Sequence, residues 1–150
     1  MNRDNSKTTN RHETSENRFI IWSDAAQNTV RRRVGTHGRL VKFHNGGYRI
    51  GIKCGESEER HYNRKCPDSF AAECYSVLKA IDFASRNEMT RITVRNDRID
   101  GFDATRKRGY SGARYLYVAR KIAEEHGIDV VFERCTSKEN LADRVSRSDE

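Results

Sequence analysis

Four carboxylates recur in matching settings along the chain. Asp24 follows the apolar run Phe19-Ile20-Ile21-Trp22, Glu73 sits inside SFAAECYSVLKAI, Asp97 closes RITVRND, and Asp143 lies in ENLADRVSR. Carboxylates are the hard oxygen ligands that hold divalent cations. A pair of such cations activates water and neutralises a leaving oxyanion, which is what hydrolysis of a phosphodiester near neutral pH requires. Taken singly, each acid would serve equally well as a strand-end solubiliser, a surface charge or a helix cap. With 22 acidic residues among 150, spacing alone does not separate these readings. The elements that carry the acids must decide.

Asp24 and Asp97 each end a run that reads as a buried strand, and the carboxyl ends of strands face the crevices of open α/β sheets. Around Glu73, Ala72, Tyr75, Val77, Leu78 and Ile81 recur at a roughly helical period, so one turn of helix can aim the acid inward. Residues 19–26 read as the first strand. The basic turn Thr29-Val30-Arg31-Arg32-Arg33 leads to a second, GRLVKFHN. Asn45-Gly46-Gly47 reads as a hairpin turn into a third, YRIGIKC, because glycine accepts the positive φ that such turns demand. Asp68 or Ser69, just after Pro67, can cap the Glu73 helix, which should end near Asn87. Then follow the strand RITVRND, a short helix DRIDGFDA, a helix over 113–126, the strand IDVVFERC and a last helix, LADRVSR. A hairpin meander followed by β-α-β units predicts an α/β chain, a mixed five-stranded sheet with helices on both faces.

The ordered set resembles ribonuclease H of type 1, in the style of the ribonuclease H domains of retroelements. IIWSDAA is similar to their strand-then-Asp-Ala-Ser opening, SFAAECYSVLKAI to their Ala-Glu helix, and NLADRVSR to their closing Asn-x-x-Ala-Asp-x-Leu-Ser-Arg; the likeness spans roughly residues 19 to 147. It implies an RNase H-like fold and a metal-dependent endonuclease that cuts the RNA strand of RNA–DNA hybrids with two Mg²⁺ or Mn²⁺ ions. By the same analogy Asp24 bridges both ions, Glu73 and Asp97 complete the site of the water-activating ion, and Asp143 holds the ion on the leaving-group side. Asn28, Ser69 and Asn96 are the polar neighbours expected to read the 2′-hydroxyls of the hybrid. Arg106-Lys107-Arg108 stands as a reduced substitute for the basic helix and loop with which some members grip it. A polymerase or reverse transcriptase is a companion the resemblance admits, and a monomer is expected. Two departures stand out. Asn140 precedes Asp143 by three residues rather than four, and the stretch Glu133 to Lys138 lacks the histidine that cellular members carry there. His126 falls at a helix end, where it supports the terminus.

Net charge is +7 and the pI about 9.4, with basic clusters at Arg31-Arg32-Arg33, Arg39, Lys42 and Arg106-Lys107-Arg108. A polyanion is the natural partner, bound in a salt-sensitive manner through its phosphates. The length suits one domain, 18–150, preceded by a tail over 1–17 without apolar periodicity that is expected to be disordered. No stretch approaches the roughly 20 apolar residues of a membrane helix, and no leader-like apolar region is present. Cys54, Cys66, Cys74 and Cys135 form no close Cys-x-x-Cys pair and read as reduced thiols. That places the chain in a cytoplasmic setting, or a nucleus or virion. Two rivals stay open: an RNase H-like module that binds nucleic acid without cutting, and another nuclease of the superfamily, such as a junction resolvase. A proofreading exonuclease would carry Asp-x-Glu on the first strand, where here Ala25 and Ala26 follow Asp24.

Overall fold

The computed structural model describes residues 17–104 and 111–147, the side chains at 30, 44 and 45 excepted. The expected tail, but for Asn17, and the Arg106-Lys107-Arg108 cluster lie outside the described residues. In chain order the elements are β1 (Phe19–Val34), β2 (Arg39–Cys54), β3 (Ser57–Asn63), α1 (Ser69–Arg86), β4 (Arg91–Asn96), α2 (Ala113–Glu125), β5 (Asp129–Arg134) and α3 (Asp143–Arg147). The strands form the expected mixed five-stranded sheet in the order β3-β2-β1-β4-β5. β1, β2 and β3 run antiparallel, while β4 lies parallel to β1 and β5 parallel to β4.

Side chains along a strand alternate between faces, and that alternation separates the core from the site. Ser23 pairs with Ile52 and Ala25 with Ile50, and this face packs on α1 through Ser76, Val77 and Ile81. Asp24 pairs with Gly51 on the opposite face, where the backbone of Ala142 and Ser146 closes over the glycine. Helices therefore cover both faces, with α1 and α2 on one and the short α3 on the other. Asp68 caps α1 by accepting from the Ala71 amide at 2.8 Å, and Asn87 ends it. The alanine-rich inner surface of α1, Ala71, Ala72, Ala80 and Ala84, is fully buried and lets the helix lie close to the sheet. At the start of α2, Gly112 abuts α1 so closely that a Cβ there would lie 2.4 Å from the Cys74 Sγ.

Three local expectations change. The strands expected on either side of Asn45-Gly46-Gly47 are one strand, β2, and the hairpin turn is Gly35 to Gly38, closed by Gly38 N donating to Gly35 O at 3.2 Å. Gly46 and Gly47 do take positive φ, 77° each, but within a bulge. The register steps from Gln27↔Tyr48 to Thr29↔His44, which leaves Asn45, Gly46 and Gly47 opposite Asn28 alone. The missing third strand is instead Ser57–Asn63. Residues 97–104 form no helix up to Gly101. The Asn96 carboxamide oxygen accepts from the amides of Arg98 and Ile99, both at 2.8 Å, and an i→i+3 turn from Gly101 to Ala104 follows. Among the described residues no helix is long and apolar enough to cross a membrane.

Candidate active site

Ser23, immediately before Asp24, is the knot around which the site is tied. The two Nδ2 hydrogens of Asn96, at the end of β4, are shared among the Ser23 carbonyl at 3.1 Å, the Ser23 Oγ at 3.0 Å and the Glu73 Oε1 at 3.1 Å. Asn140 donates to the same Ser23 carbonyl at 2.9 Å, and the Ser76 Oγ donates to the Ser23 Oγ at 3.2 Å. These groups are buried, so each needs its partners, and a satisfied buried network fixes side chains in place. β1, β4, α1 and the segment after β5 are thereby locked to one another beside the acids.

On that base the ligand atoms of Asp24, Glu73 and Asp97 lie within 4.8 Å of one another. Asp143, from α3, lies outside that group of three but near enough to Asp24 to raise its carboxyl. α3 is held over this corner by two bonds: Ser146 Oγ donates to Asp24 Oδ2 at 3.1 Å, and Arg60 of β3 donates to the Val145 carbonyl at 2.9 Å. The segment leading to it is ordered by reciprocal bonds between Thr136 and Glu139, the geometry of a capping box. Asn140 then accepts from the Ala142 amide, turning the chain toward Asp143.

The electrostatics suit a bound cation. Burial, the neighbouring Asp143 side chain and the charge of Asp97 push the Asp24 carboxyl from 3.8 up to about 7, against a smaller opposing pull from Ser146. Burial and the charges of Asp24 and Asp97 likewise hold Glu73 well above the usual carboxylate range, with Asn96 and Arg98 opposing. The Asp97 Oδ1 is buried without a hydrogen-bond partner among the described residues. An all-oxygen set with an orphaned acceptor and mutual repulsion fits a hard divalent cation, which would satisfy the oxygen and relieve the repulsion.

Beside Glu73 opens a cavity of about 550 Å³, lined by Ser69, Arg98, Arg49 and Arg147, and by Thr29, Arg31 and Lys42 of β1 and β2. Of the residues expected to meet nucleic acid, Ser69 is exposed at the rim, accepting from Arg98 Nη1 at 3.1 Å. Asn28 is half-buried opposite the β2 bulge. Asn96 has no exposed surface, and its place is beneath the site rather than in the cavity. Sequence reasoning missed Arg98, whose guanidinium lies 5.5 Å over the Phe70 ring at the cavity wall. Its only signal was a cation directly after Asp97. It also missed Ser23 and Ser146, small residues that no charge or period marks. His126 is exposed at the C-cap of α2, its amide bonded to the Ile122 carbonyl.

No protein-family model matches the sequence, and no curated protein matches it. Solved structures do. The N-terminal RNase H domain of Rv2228c from Mycobacterium tuberculosis, solved as a fusion with maltose-binding protein, superposes with a TM-score of 0.60 at 15% identity, over 85% of this chain and 88% of that one. RNase H1 from the halophilic archaeon Halobacterium salinarum gives 0.60 at 14% identity over 85% and 92%. LC11-RNase H1 in complex with an RNA/DNA hybrid gives 0.55 at 14% identity over 81% and 88%. The chain has an RNase H-like fold.

Proposed function

We propose that this RNase H-like chain is a metal-dependent endonuclease that hydrolyses the RNA strand of RNA–DNA hybrids. The observation that carries the reading is the convergence of Asp24, Glu73 and Asp97 within 4.8 Å at the edge of a cationic cavity. Acids gathered this closely are costly for a fold unless they serve a ligand. Asp24, Glu73, Asp97 and Asp143 are the residues that would hold two Mg²⁺ or Mn²⁺ ions, which when bound supply an activated water and charge neutralisation at the leaving oxygen.

The chain's own part is placement. The Ser23, Asn96 and Asn140 network holds Asp24 and Glu73 in one geometry, so their orientation is fixed before substrate arrives. Arg98 and Arg147 line the cavity beside the acids and offer cations to the phosphates flanking the scissile one. Ser69, at the cavity rim, and Asn28 would meet 2′-hydroxyls exposed in the shallow minor groove of an A-like duplex. The hybrid bound in the LC11-RNase H1 structure supports the choice of substrate.

The test is cleavage of a labelled hybrid in Mg²⁺ and in Mn²⁺, with RNA and DNA duplexes as controls, by the native chain and by Asp97→Asn. Cutting of the RNA strand alone, abolished by the substitution, is the expected result. Tight binding with no cutting in either metal would make the chain a non-catalytic module, and cutting of DNA or of junctions would move it to another nuclease class.

A further inference from the structure

Between Asp24 and Glu56 the sequence contains no carboxylate, while Arg31, Arg32, Arg33, Arg39, Lys42, Arg49 and Lys53 all fall in that interval. The fold gathers the first five of these cations on one projecting structure. β1 pairs with β4 only over Phe19 to Trp22, and β2 pairs with β3 only over Tyr48 to Cys54. From Thr29 to Val34 and from Arg39 to His44 the two strands therefore bond only to each other, as a two-stranded ribbon beyond the β2 bulge. Among its described side chains none is buried. A ribbon with so little burial contributes nothing to the core, and its composition calls for another explanation.

Its two faces differ in where they lead. Thr29, Arg31 and Arg33 alternate onto one face, and Lys42 stands directly across from Arg31. Thr29, Arg31 and Lys42 line the same cavity as Glu73, so this face continues the wall beside the carboxylates. Arg33 is tied to the Gly38 carbonyl at 2.7 Å, bracing the turn. Arg31 and Lys42 have no acidic partner among the described residues. On the opposite face Arg32 lies 6.0 Å from the centre of the half-exposed Phe43 ring. An unneutralised cationic strip running out of a phosphodiester site is complementary to a phosphate backbone, and a two-stranded ribbon is slim enough to follow a groove.

We propose that the β1–β2 ribbon is an arm that grips the phosphate backbone of the bound duplex beyond the carboxylates, with Arg31 and Lys42 meeting the phosphates. The proposal rests on the nucleic-acid reading of the site and extends the substrate-binding surface well past the acids.

The experiment measures binding apart from cutting. Affinity of an Asp97→Asn chain for a labelled hybrid is followed against salt in Mg²⁺, with and without Arg31→Ala and Lys42→Ala together. Arg114→Ala with Lys121→Ala, an equal loss of charge from the exposed side of α2, is the control. Removing one phosphate-binding cation should lower the slope of log affinity against log salt by about one, so the ribbon pair should lower it by about two and the control pair by far less. In the cutting-competent chain the ribbon pair should raise KM and leave kcat near native. Equal slopes for ribbon and control variants would overturn the arm, and that includes the case in which Phe43 and Leu40 serve a protein partner instead. Failure of the native chain to cut hybrids, with the slope change still present, would sink the nuclease reading and leave the arm standing.

Discussion

Ser146 Oγ donates a hydrogen bond to Asp24 Oδ2 at 3.1 Å, joining the last helix to the first strand across 122 residues. The donor favours the ionised carboxylate and so pulls against the burial and the acid neighbours that raise Asp24 to about 7. Ser146→Ala removes that pull, and the Asp24 carboxyl rises further. The acid limb of the pH–rate profile for hybrid cleavage should therefore move to higher pH, by about half a unit to one unit for one hydrogen bond. Activity well above that limb should change little. A profile superimposable on the native one would show that the hydrogen bond does not act on Asp24.

The raised Asp24 carboxyl also contributes to how stability of the metal-free chain depends on pH, in the same direction as the raised Glu73. The unfolded chain releases this proton near 3.8 and the folded chain near 7, so between those values the folded state holds more protons. Stability contributed by the group is thus lost as pH rises through that window, and the loss is complete above about 7. Thermal melts in chelator should show Asp24→Asn gaining on the native chain as pH rises from about 4 to about 8. Adding Mg²⁺ should reverse the order at the upper end, because cation binding stabilises the ionised set. Parallel pH slopes for the two chains in chelator would contradict the assignment.

Asn96 supports both the fold and the site. Its Oδ1 takes the amides of Arg98 and Ile99 while its Nδ2 meets Ser23 and Glu73. Asn96→Asp keeps the shape and the acceptor but replaces the donor beside Glu73 with a further acid. At low pH, with both groups protonated, the variant should melt close to the native chain. At pH about 8 without metal it should lose on the order of 1–3 kcal/mol, the cost of an unmet buried polar group. An unchanged melt at both pH values would mean that the Asn96 donor carries no weight.

The parts of this molecule that were legible in its sequence are those where burial writes an apolar period. The run before Asp97 is buried on both faces, the Glu73 helix and the last long helix each bury one, and their bounds fell within a few residues of the structure. The first strand, expected over 19–26, instead runs on to Val34 through the expected basic turn, where no described side chain is buried to mark it. β3 was invisible because Ser57–Asn63 lies at the sheet edge with no buried side chain, leaving no alternation to read. Asn45-Gly46-Gly47 signalled positive φ correctly, but a bulge and a turn ask the same of glycine, and only the pairing of β1 with β2 distinguishes them. The acids could be named one by one. The Ser23, Asn96 and Asn140 network that orients them is built from neutral residues far apart in sequence, and interactions of that kind leave no local pattern.

Gly51 sits opposite Asp24, and its missing side chain is what lets α3 come down on the site. A Cβ there would lie 2.5 Å from the Ser146 amide nitrogen and 2.8 Å from the Ala142 carbonyl, backbone atoms that cannot rotate away. Gly51→Ala must therefore lift the segment that carries Asp143 and Ser146, while Ile50 and Ile52 stay packed on the other face. Overpacking of this kind costs about 1–3 kcal/mol, which leaves the chain folded. Displacing a positioned acid by even about 1 Å can cost about 100-fold in rate, so the cleavage rate should fall by that order. Binding through Arg31 and Lys42, on the ribbon beyond the bulge, should persist, and the rise in melting temperature with Mg²⁺ should shrink. A variant that folds and cuts at the native rate would show that the close seating of α3 is not needed, and would take Asp143 out of the site with it.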